Sequence, residues 1–221
     1  MSRFPRGDVP AGQPQHLGTA VVLRPLATPL PLAFLGQAVA SWAFACLQLS
    51  WLAPGQGHLV AVGVLVFTVP LQGAASVLGF LARDPVAGTG TGLLAGGWAI
   101  LAAGTLLTPP GTSSGAVGVL AVGVAGALLL PAAVALTRLA AAAVLWLGVA
   151  RFAVTGVAEL TGDPGWLHAA GWVGLVLCAA SGYGAAAFEL EAATGRSWLP
   201  IGRLSDRQSD PVQEPGVRAR L

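Results

Sequence analysis

Six stretches of this chain are long and apolar enough to cross a lipid bilayer. A bilayer-spanning helix needs about 20 predominantly apolar residues. The stretches that meet this requirement cover residues 30–52, 58–82, 88–107, 115–136, 139–158 and 166–190. Only 9% of the 221 residues are charged, whereas a typical soluble domain has about 25%. The sequence therefore predicts an all-α, polytopic membrane protein, and it excludes an ordinary soluble enzyme and a coiled coil.

Short segments rich in turn-forming residues separate the six apolar stretches. Proline and glycine cluster at residues 54–57, 109–111 and 162–165. Such residues are expected between antiparallel helices. We therefore expect one transmembrane domain at 28–202, formed by a bundle of six helices, between a tail at 1–27 and a tail at 203–221.

The positive charges indicate how the bundle is oriented. The eleven cationic residues are all arginine, and ten of them fall at one end of a six-span arrangement. The remaining one, Arg151, lies inside the fifth span. Because cytoplasmic segments carry an excess of positive charge, we expect both termini to be cytoplasmic.

The sequence shows no motif typical of an enzyme or of a metal site. The two cysteines, Cys46 and Cys178, lie inside spans and have no metal-binding spacing. The net charge is only +2, and the basic residues are scattered, which argues against binding of nucleic acid. We therefore expect no catalysis, no cofactor and no metal, and a lipid bilayer as the surrounding partner.

Three of the spans carry polar side chains on one helical face. They are Gln37, Ser41 and Gln48 in the first span, Thr68, Gln72 and Ser76 in the second, and Arg151, Thr155 and Glu159 in the fifth. In a bilayer such faces turn toward the interior of the bundle or toward a water-filled path. Two interpretations stay open at this point: hydrogen bonds that hold helices together, or the lining of a pore. The lack of a catalytic motif and of an extramembrane domain favours the pore.

Arg151 is the most unusual of these residues. A charged side chain near the middle of a span costs about 2.5–3.5 kcal/mol on insertion scales. One interpretation is structural, with the side chain reaching outward or pairing with Glu159 or Glu189. The other is functional, with the guanidinium attracting an anion in transit.

Three further features of the spans predict local structure. Pro70 lies inside the second span and predicts a bend. In the third span a glycine recurs at every fourth position from Gly88 to Gly96, which predicts close packing within the chain or between copies. Trp98 and Trp146 lie away from the span ends, so we expect both to be packed inside the bundle.

Three short runs resemble a known family. Residues 27–36 read ATPLPLAFLG, residues 168–172 read HAAGW, and residues 195–202 read GRSWLPIG. They resemble the acetate uptake transporter family, also called the succinate–acetate permease family. That family opens its first helix with Asn-Pro-Ala-Pro-Leu-Gly and ends with His-x-Ala-Gly-Trp and Gly-Arg-x-x-Leu-Pro-Ile-Gly. The resemblance covers about residues 27–203.

The resemblance implies a function and an assembly. Members form six-helix protomers, each around its own pore, and they usually assemble as homohexamers. They pass acetate, and in some members succinate, across the inner (plasma) membrane, and they are described either as proton-coupled permeases or as anion channels. The resemblance thus implies a multi-pass protein of that membrane with a small carboxylate anion as its partner.

The resemblance also implies which residues line the pathway. The signature of the first helix falls on Thr28, Pro29, Pro31, Leu32 and Gly36, with Thr28 in place of asparagine. Gln72 matches a glutamine on the pore side of helix 2. The narrow point falls on Gln37, Leu94 and Gly148, which are smaller or more polar than usual, and Arg151 replaces an apolar residue. A wider, more polar constriction would suit a different or larger anion.

We therefore predict a channel or permease for small carboxylate anions. Two alternatives are open: a pore for a neutral solute such as urea or a protonated weak acid, and a diverged membrane scaffold that transports nothing. The residues expected along the pathway are Thr28, Pro29, Pro31, Leu32, Gly36, Gln37, Ser41, Gln72, Leu94, Gly148, Arg151 and Thr155.

Overall fold

The computed structural model describes residues 27–194, 196, 198–200 and 202. The tails predicted at 1–27 and 203–221 lie, except for Ala27, outside these residues. In the described part of the chain, six helices are long and apolar enough to span a membrane. They are α1 (Leu30–Gln48), α2 (Pro54–Leu81), α3 (Pro85–Leu107), α4 (Gly115–Val134), α5 (Leu139–Thr161) and α6 (Pro164–Thr194). The prediction of an all-α, six-span membrane protein is confirmed.

Two helices end through non-glycine residues in the left-handed conformation. Helix α1 ends at Gln48, four residues before the predicted boundary, because Ser50 adopts a φ of 60°. The N–H of Trp51 then donates to the carbonyl of Cys46 at 2.9 Å, which closes the helix as a left-handed residue after a C-cap typically does. Arg83, with a φ of 58°, ends α2 in the same way.

The six helices close into a ring. Each helix packs against the next one in the chain, and α6 packs against α1. Because consecutive helices run antiparallel, the loops after α1, α3 and α5 lie at one end, which we call the vestibule end. The loops after α2 and α4 lie at the other end, where Arg138 forms an ion pair of 2.8 Å with Asp84. This second end is called the arginine end.

Glycines allow the closest approaches between neighbouring helices. A Cβ atom on Gly79 of α2 would lie 2.6 Å from the backbone nitrogen of Gly88 on α3. Gly92 also faces α2, since its Cβ would lie 2.8 Å from Ser76 Oγ. Gly96 has nothing within 4 Å. The glycine repeat therefore serves, at its first two positions, as a contact within the chain.

Alanine is the most frequent buried apolar residue among the described residues, and the large buried apolar side chains are aromatic or branched. Trp98 is fully buried, as expected, and packs between Phe44 and Phe152 with ring centroids 5.5 Å apart on each side. The expectation for Trp146 is wrong. This side chain is 42% exposed on the outer face of α5, because the residues that turn inward on that helix are Val144, Leu145 and Gly148.

Candidate functional site

A buried cluster of amides lies between α1, α2 and α3. The Oε1 atom of Gln37 accepts two hydrogen bonds, from Gln72 Nε2 at 2.8 Å and from Trp98 Nε1 at 2.7 Å. Gln37 Nε2 in turn donates to Ser41 Oγ at 3.5 Å. All four side chains are fully buried. We call Gln37, Ser41, Gln72 and Trp98 the amide cluster.

The local structure of α2 turns its polar side chains toward α1. Residues Val64–Thr68 form a π-helical turn directly before Pro70. Proline lacks an N–H and crowds the carbonyl four residues earlier, and a π turn widens the helix at that point. At the last residue of this turn, Thr68 Oγ1 donates to the carbonyl of Gly36 at 3.0 Å, and one turn further on Gln72 Nε2 donates to the carbonyl of Ala33 at 3.4 Å. The bend predicted at Pro70 is thus accompanied by a change in helical register.

Arg151 lies on α5 with its guanidinium group fully buried. Its Nη1 atom donates to Gln48 Oε1 at 2.6 Å, to Thr155 Oγ1 at 3.0 Å and to the carbonyl of Ala170 at 2.8 Å. None of these acceptors is charged. Its Nε and Nη2 atoms have no hydrogen-bond partner among the described residues.

The structural interpretation of Arg151 made from the sequence is therefore wrong. The side chain does not reach outward, since none of it is exposed. It does not pair with Glu159, whose Oε2 instead accepts the backbone N–H of Ser114 at 2.8 Å. Glu189, the other partner considered, is exposed near the arginine end. No carboxylate of the described residues forms an ion pair with Arg151.

Trp98 links the guanidinium to the amide cluster. The Cζ atom of Arg151 lies 5.8 Å from the centroid of the Trp98 ring, within the range of a cation–π contact. The indole N–H of the same residue donates to Gln37. Polar groups therefore follow one another from Gln48 through Arg151 and Trp98 to Gln37 and Gln72.

A cavity of about 310 Å³ lies above this line of polar groups, between the loops of the vestibule end. We call it the vestibule. The residues at its inner end and on its walls include Phe44, Gln48, His58, Leu101, Thr155 and Glu159. Gln48 and Thr155 both line the vestibule and both accept hydrogen bonds from Arg151. The guanidinium group therefore lies directly beneath the floor of the vestibule.

Leu94 and Gly148 meet in the apolar interior, as the resemblance implied. The Cδ2 atom of Leu94 would lie 3.3 Å from a Cβ atom at Gly148, and Leu94 is fully buried. Leu94 also lies one helical turn before Trp98 on α3. The structure thus brings Leu94 and Gly148 together, while Gln37 is held in the amide cluster.

The residues of the helix-1 signature lie at the arginine end. Pro29 and Pro31 are buried, and Gly36 lies against α2. Leu32 is 37% exposed on the outer surface of the ring, apart from the polar line. Pro29 occupies the N-cap of α1, and Oγ1 of Thr28, one residue earlier, accepts the N–H of Leu30 at 3.5 Å.

Three members of the site are absent from the set expected along the pathway. Gln48 carried a signal, because it lies on the polar face of the first span. Trp98 carried none, since its N–H group is hidden in an otherwise apolar side chain. Ser181 on α6 is an isolated polar residue, and its Oγ atom is buried without a partner among the described residues.

No cluster of metal-ligating side chains is present in the part of the chain that the structure describes. A search of those residues finds no group of three or more His, Cys, Asp or Glu side chains that could hold a metal ion.

The fold matches a solved structure of known function. The bacterial acetate channel SatP has a structure similar to this one, with a TM-score of 0.72 and 22% sequence identity. The match covers 80% of this chain and 99% of that chain. No model of a protein family matches the chain, and no curated protein does. The chain therefore has the six-helix fold of this acetate channel, which confirms, at the level of the fold, the resemblance to the acetate uptake transporter family.

Proposed function

We propose that this protein passes small carboxylate anions such as acetate across the inner (plasma) membrane, along the axis of its six-helix ring. One observation carries the proposal above all. A guanidinium group with no counter-ion among the described residues lies beneath the vestibule, in line with a buried amide cluster. The protein shares its fold with a bacterial acetate channel.

The proposed entry of the anion is electrostatic. A carboxylate in the vestibule is attracted by Arg151, which no internal carboxylate neutralises among the described residues. Gln48 and Thr155 line the same cavity and offer polar groups that replace part of the hydration shell. Such exchange of water for fixed dipoles is the usual basis of selectivity in narrow pores.

The proposed route continues through the amide cluster toward the arginine end. Gln37, Ser41 and Gln72 supply hydrogen-bonding groups along it, and Pro29, Pro31 and Gly36 form its far end. Leu94 fills the ring interior against Gly148, so passage requires this side chain to move.

The buried charge favours an anion over the neutral solutes considered from the sequence. A pore for urea needs donors and acceptors but no net charge, and an uncompensated guanidinium in a bilayer is costly.

We also propose that both termini are cytoplasmic and that the protomers form a homohexamer. Succinate as a second substrate is also part of the proposal, and coupling to protons is the part that the following experiment tests.

The test is uptake of labelled acetate into proteoliposomes, with the pH gradient and the membrane potential imposed separately. Empty liposomes correct for the leak of acetic acid. We expect saturable uptake that depends on the protein. A response to potential alone supports a channel, whereas a response to the pH gradient supports proton coupling. Absence of uptake by the folded protein, or equal uptake of urea, contradicts the proposal.

Two matched variants locate the activity in the proposed route. Arg151→Gln removes the buried charge, and we expect it to reduce acetate uptake by at least about tenfold, which corresponds to about 1.4 kcal/mol in the barrier. Arg83→Gln removes an exposed charge at the arginine end and is expected to leave uptake within about twofold of the wild type. Equal uptake by both variants would contradict the assigned role of Arg151.

A further inference from the structure

The guanidinium group of Arg151 is satisfied on one side only. A guanidinium has five N–H groups: one on Nε and two on each Nη. The two on Nη1 face three acceptors on α1, α5 and α6. The other three, on Nε and Nη2, face no acceptor among the described residues. Nη1 therefore fixes the side chain in place, whereas the Nε–Nη2 edge is buried and has no hydrogen-bond partner among the described residues, so an anion reaches it only when the side chains around it move.

The Nε–Nη2 edge of Arg151 has the geometry to bind one class of ligand. The N–H groups of Nε and Nη2 point in parallel directions, and this spacing matches the two oxygens of a planar oxyanion in a bidentate pair. A spherical halide or a neutral amide does not match both donors. A lysine at the same place would supply charge without this geometry.

The surroundings of the guanidinium hold this edge in a fixed orientation. A Cβ atom at Gly174 of α6 would lie only 3.3 Å from Arg151 Cζ, so the absence of a side chain there lets the guanidinium lie close against α6. Trp98 approaches the guanidinium from α3, with its ring centroid 5.8 Å from Cζ. Contacts from three helices and from Trp98 therefore fix the group.

A second unpaired polar group lies farther along the same face of α6. Ser181 follows Gly174 by seven residues, which is two helical turns, and therefore shares its face. Phe34 on α1 contacts Gly184, so Ser181 is level with Gln37 on the neighbouring antiparallel helix. The Ser181 hydroxyl is buried and has no partner among the described residues. It thus offers a further donor in the ring interior, level with the amide cluster.

We propose that the Nε–Nη2 edge of Arg151 is a binding site for one small planar oxyanion, held side-on in the ring interior. A monocarboxylate and nitrate share this chemistry. The site deepens the proposed function, on which its role in transport rests, because it makes the path saturable and selective for oxyanions over halides. Binding itself does not require transport.

The first test measures binding, without transport, on the purified protein. The midpoint of thermal unfolding is followed in detergent while sodium acetate, nitrate, chloride or urea is titrated. Total ionic strength is kept constant with sodium chloride, except in the chloride series. A ligand that binds only the folded state raises the midpoint in a saturable way. We expect saturable shifts with acetate and nitrate, and none with urea. Chloride is expected to produce, at most, a shift that does not saturate in the same range.

Variants separate the geometry of the edge from its charge. Arg151→Lys keeps the positive charge but loses the paired donors, and we expect it to weaken the apparent affinity for acetate by at least about tenfold, because a bidentate pair adds energy and geometric specificity that a point charge does not supply. Arg83→Lys is the matched control at an exposed position and should bind acetate as the wild type does. An unchanged affinity in Arg151→Lys overturns the proposal.

The wild-type protein alone also decides the question if Arg151→Lys does not fold. Chloride shifts equal to those of acetate would mean a point charge and would overturn the side-on site. A different result would contradict the proposed function while leaving the binding site intact. Loss of acetate binding in Arg151→Lys, with no acetate uptake by wild-type proteoliposomes, would leave the site in place and remove the transport role. Acetate uptake without an acetate-dependent shift of the unfolding midpoint would support transport and would contradict the binding site.

Discussion

A single oxygen atom connects three helices of the ring. Gln37 Oε1 on α1 accepts from Gln72 on α2 and from Trp98 on α3. Both donors are fully buried, and a buried donor that loses its acceptor costs about 1–3 kcal/mol. Gln37 therefore has a structural role in addition to its place on the proposed route. A substitution that keeps the acceptor but adds charge separates the two roles.

We predict that Gln37→Glu folds but is less stable, and that it transports acetate poorly. The carboxylate still accepts from both donors, but a buried charge costs about 2.5–3.5 kcal/mol on insertion scales and should lower the unfolding midpoint. The carboxylate also places a negative charge on the route and a counter-ion near Arg151. Two unit charges about 10 Å apart interact by about 1.7 kcal/mol at an effective dielectric constant near 20. We therefore expect acetate uptake at pH 7.5 to fall by more than about tenfold.

The matched control for this variant is Gln56→Glu, which makes the same chemical change at an exposed position outside the ring interior. Its uptake should stay close to that of the wild type. A Gln37→Glu protein that takes up acetate at the wild-type rate would show that the anion does not pass the amide cluster.

At the level of single residues, the sequence predicted which side chains turn inward but not what they bind. Helical spacing on one span is enough to place Gln37, Gln72 and Arg151 on interior faces, because a polar side chain in a bilayer avoids lipid. The partner of each side chain depends on the order of helices around the ring and on the rotation of each helix. The spacing of polar residues along one span indicates neither the order nor the rotation of the helices. Gln48 therefore could not be predicted as the partner of Arg151.

At the level of helices, close packing depends on a few glycines rather than on the whole glycine repeat. The contact of Gly79 with Gly88 brings the backbones of α2 and α3 together near the arginine end. Ser76 Oγ donates to the carbonyl of Gly88 at 2.6 Å in the same contact. A methyl group at Gly79 would meet backbone atoms of α3, which cannot move aside as a flexible side chain can. We therefore expect it to push α2 and α3 apart.

We predict that Gly79→Ala destabilises the protein whereas Gly73→Ala on the same helix does not. Overpacking of a well-packed interior costs about 1–3 kcal/mol, and about 2–4 °C of unfolding midpoint corresponds to each kcal/mol in a chain of this size. A Cβ at Gly73 meets nothing within 4 Å. Thermal unfolding of both variants in one detergent gives the comparison. Equal midpoints would argue against the close crossing of α2 and α3.

The existence of each helix was predictable from the sequence, but its ends and its internal register were not. Long apolar runs dominate the choice of structure in a bilayer, since every backbone group must be satisfied within the segment. Ends depend on single residues that tolerate a positive φ. The sequence offers no special signal that Ser50 and Arg83, rather than the nearby glycines, take this conformation. The π turn before Pro70 is likewise a local adjustment with no periodic signature.

At the level of the whole molecule, the arginines mark one end of the ring. Among the described residues, Arg83, Arg138 and Arg196 lie at the arginine end, beside Asp84, Glu189 and Glu191, whereas the vestibule end has Glu159 and Asp163 and no arginine. Together with the excess of positive charge expected on cytoplasmic segments, this difference predicts that the vestibule opens away from the cytoplasm.

Cysteine labelling tests this orientation. In a background with Cys46→Ala and Cys178→Ala, we predict that Gln56→Cys reacts with a membrane-impermeant maleimide in intact cells. Arg83→Cys should react only after the membrane is permeabilised. Both positions are exposed in the structure, so differences in labelling report the side of the membrane. The reverse pattern would place the vestibule, and hence the proposed entry beside Arg151, in the cytoplasm.

The partners of Arg151 come from helices that are synthesised at different times. Gln48 belongs to α1 and is made long before α5, but Ala170 belongs to α6 and is made after it. When α5 leaves the ribosome, its arginine therefore lacks one of its three acceptors, and a lone arginine at a span centre costs about 2.5–3.5 kcal/mol during insertion. The tight turn at Gly162, with a φ of 66°, joins α5 directly to α6. We therefore expect α5 and α6 to insert into the bilayer as a pair. The buried charge of Arg151 would then set the order in which the helices assemble during synthesis.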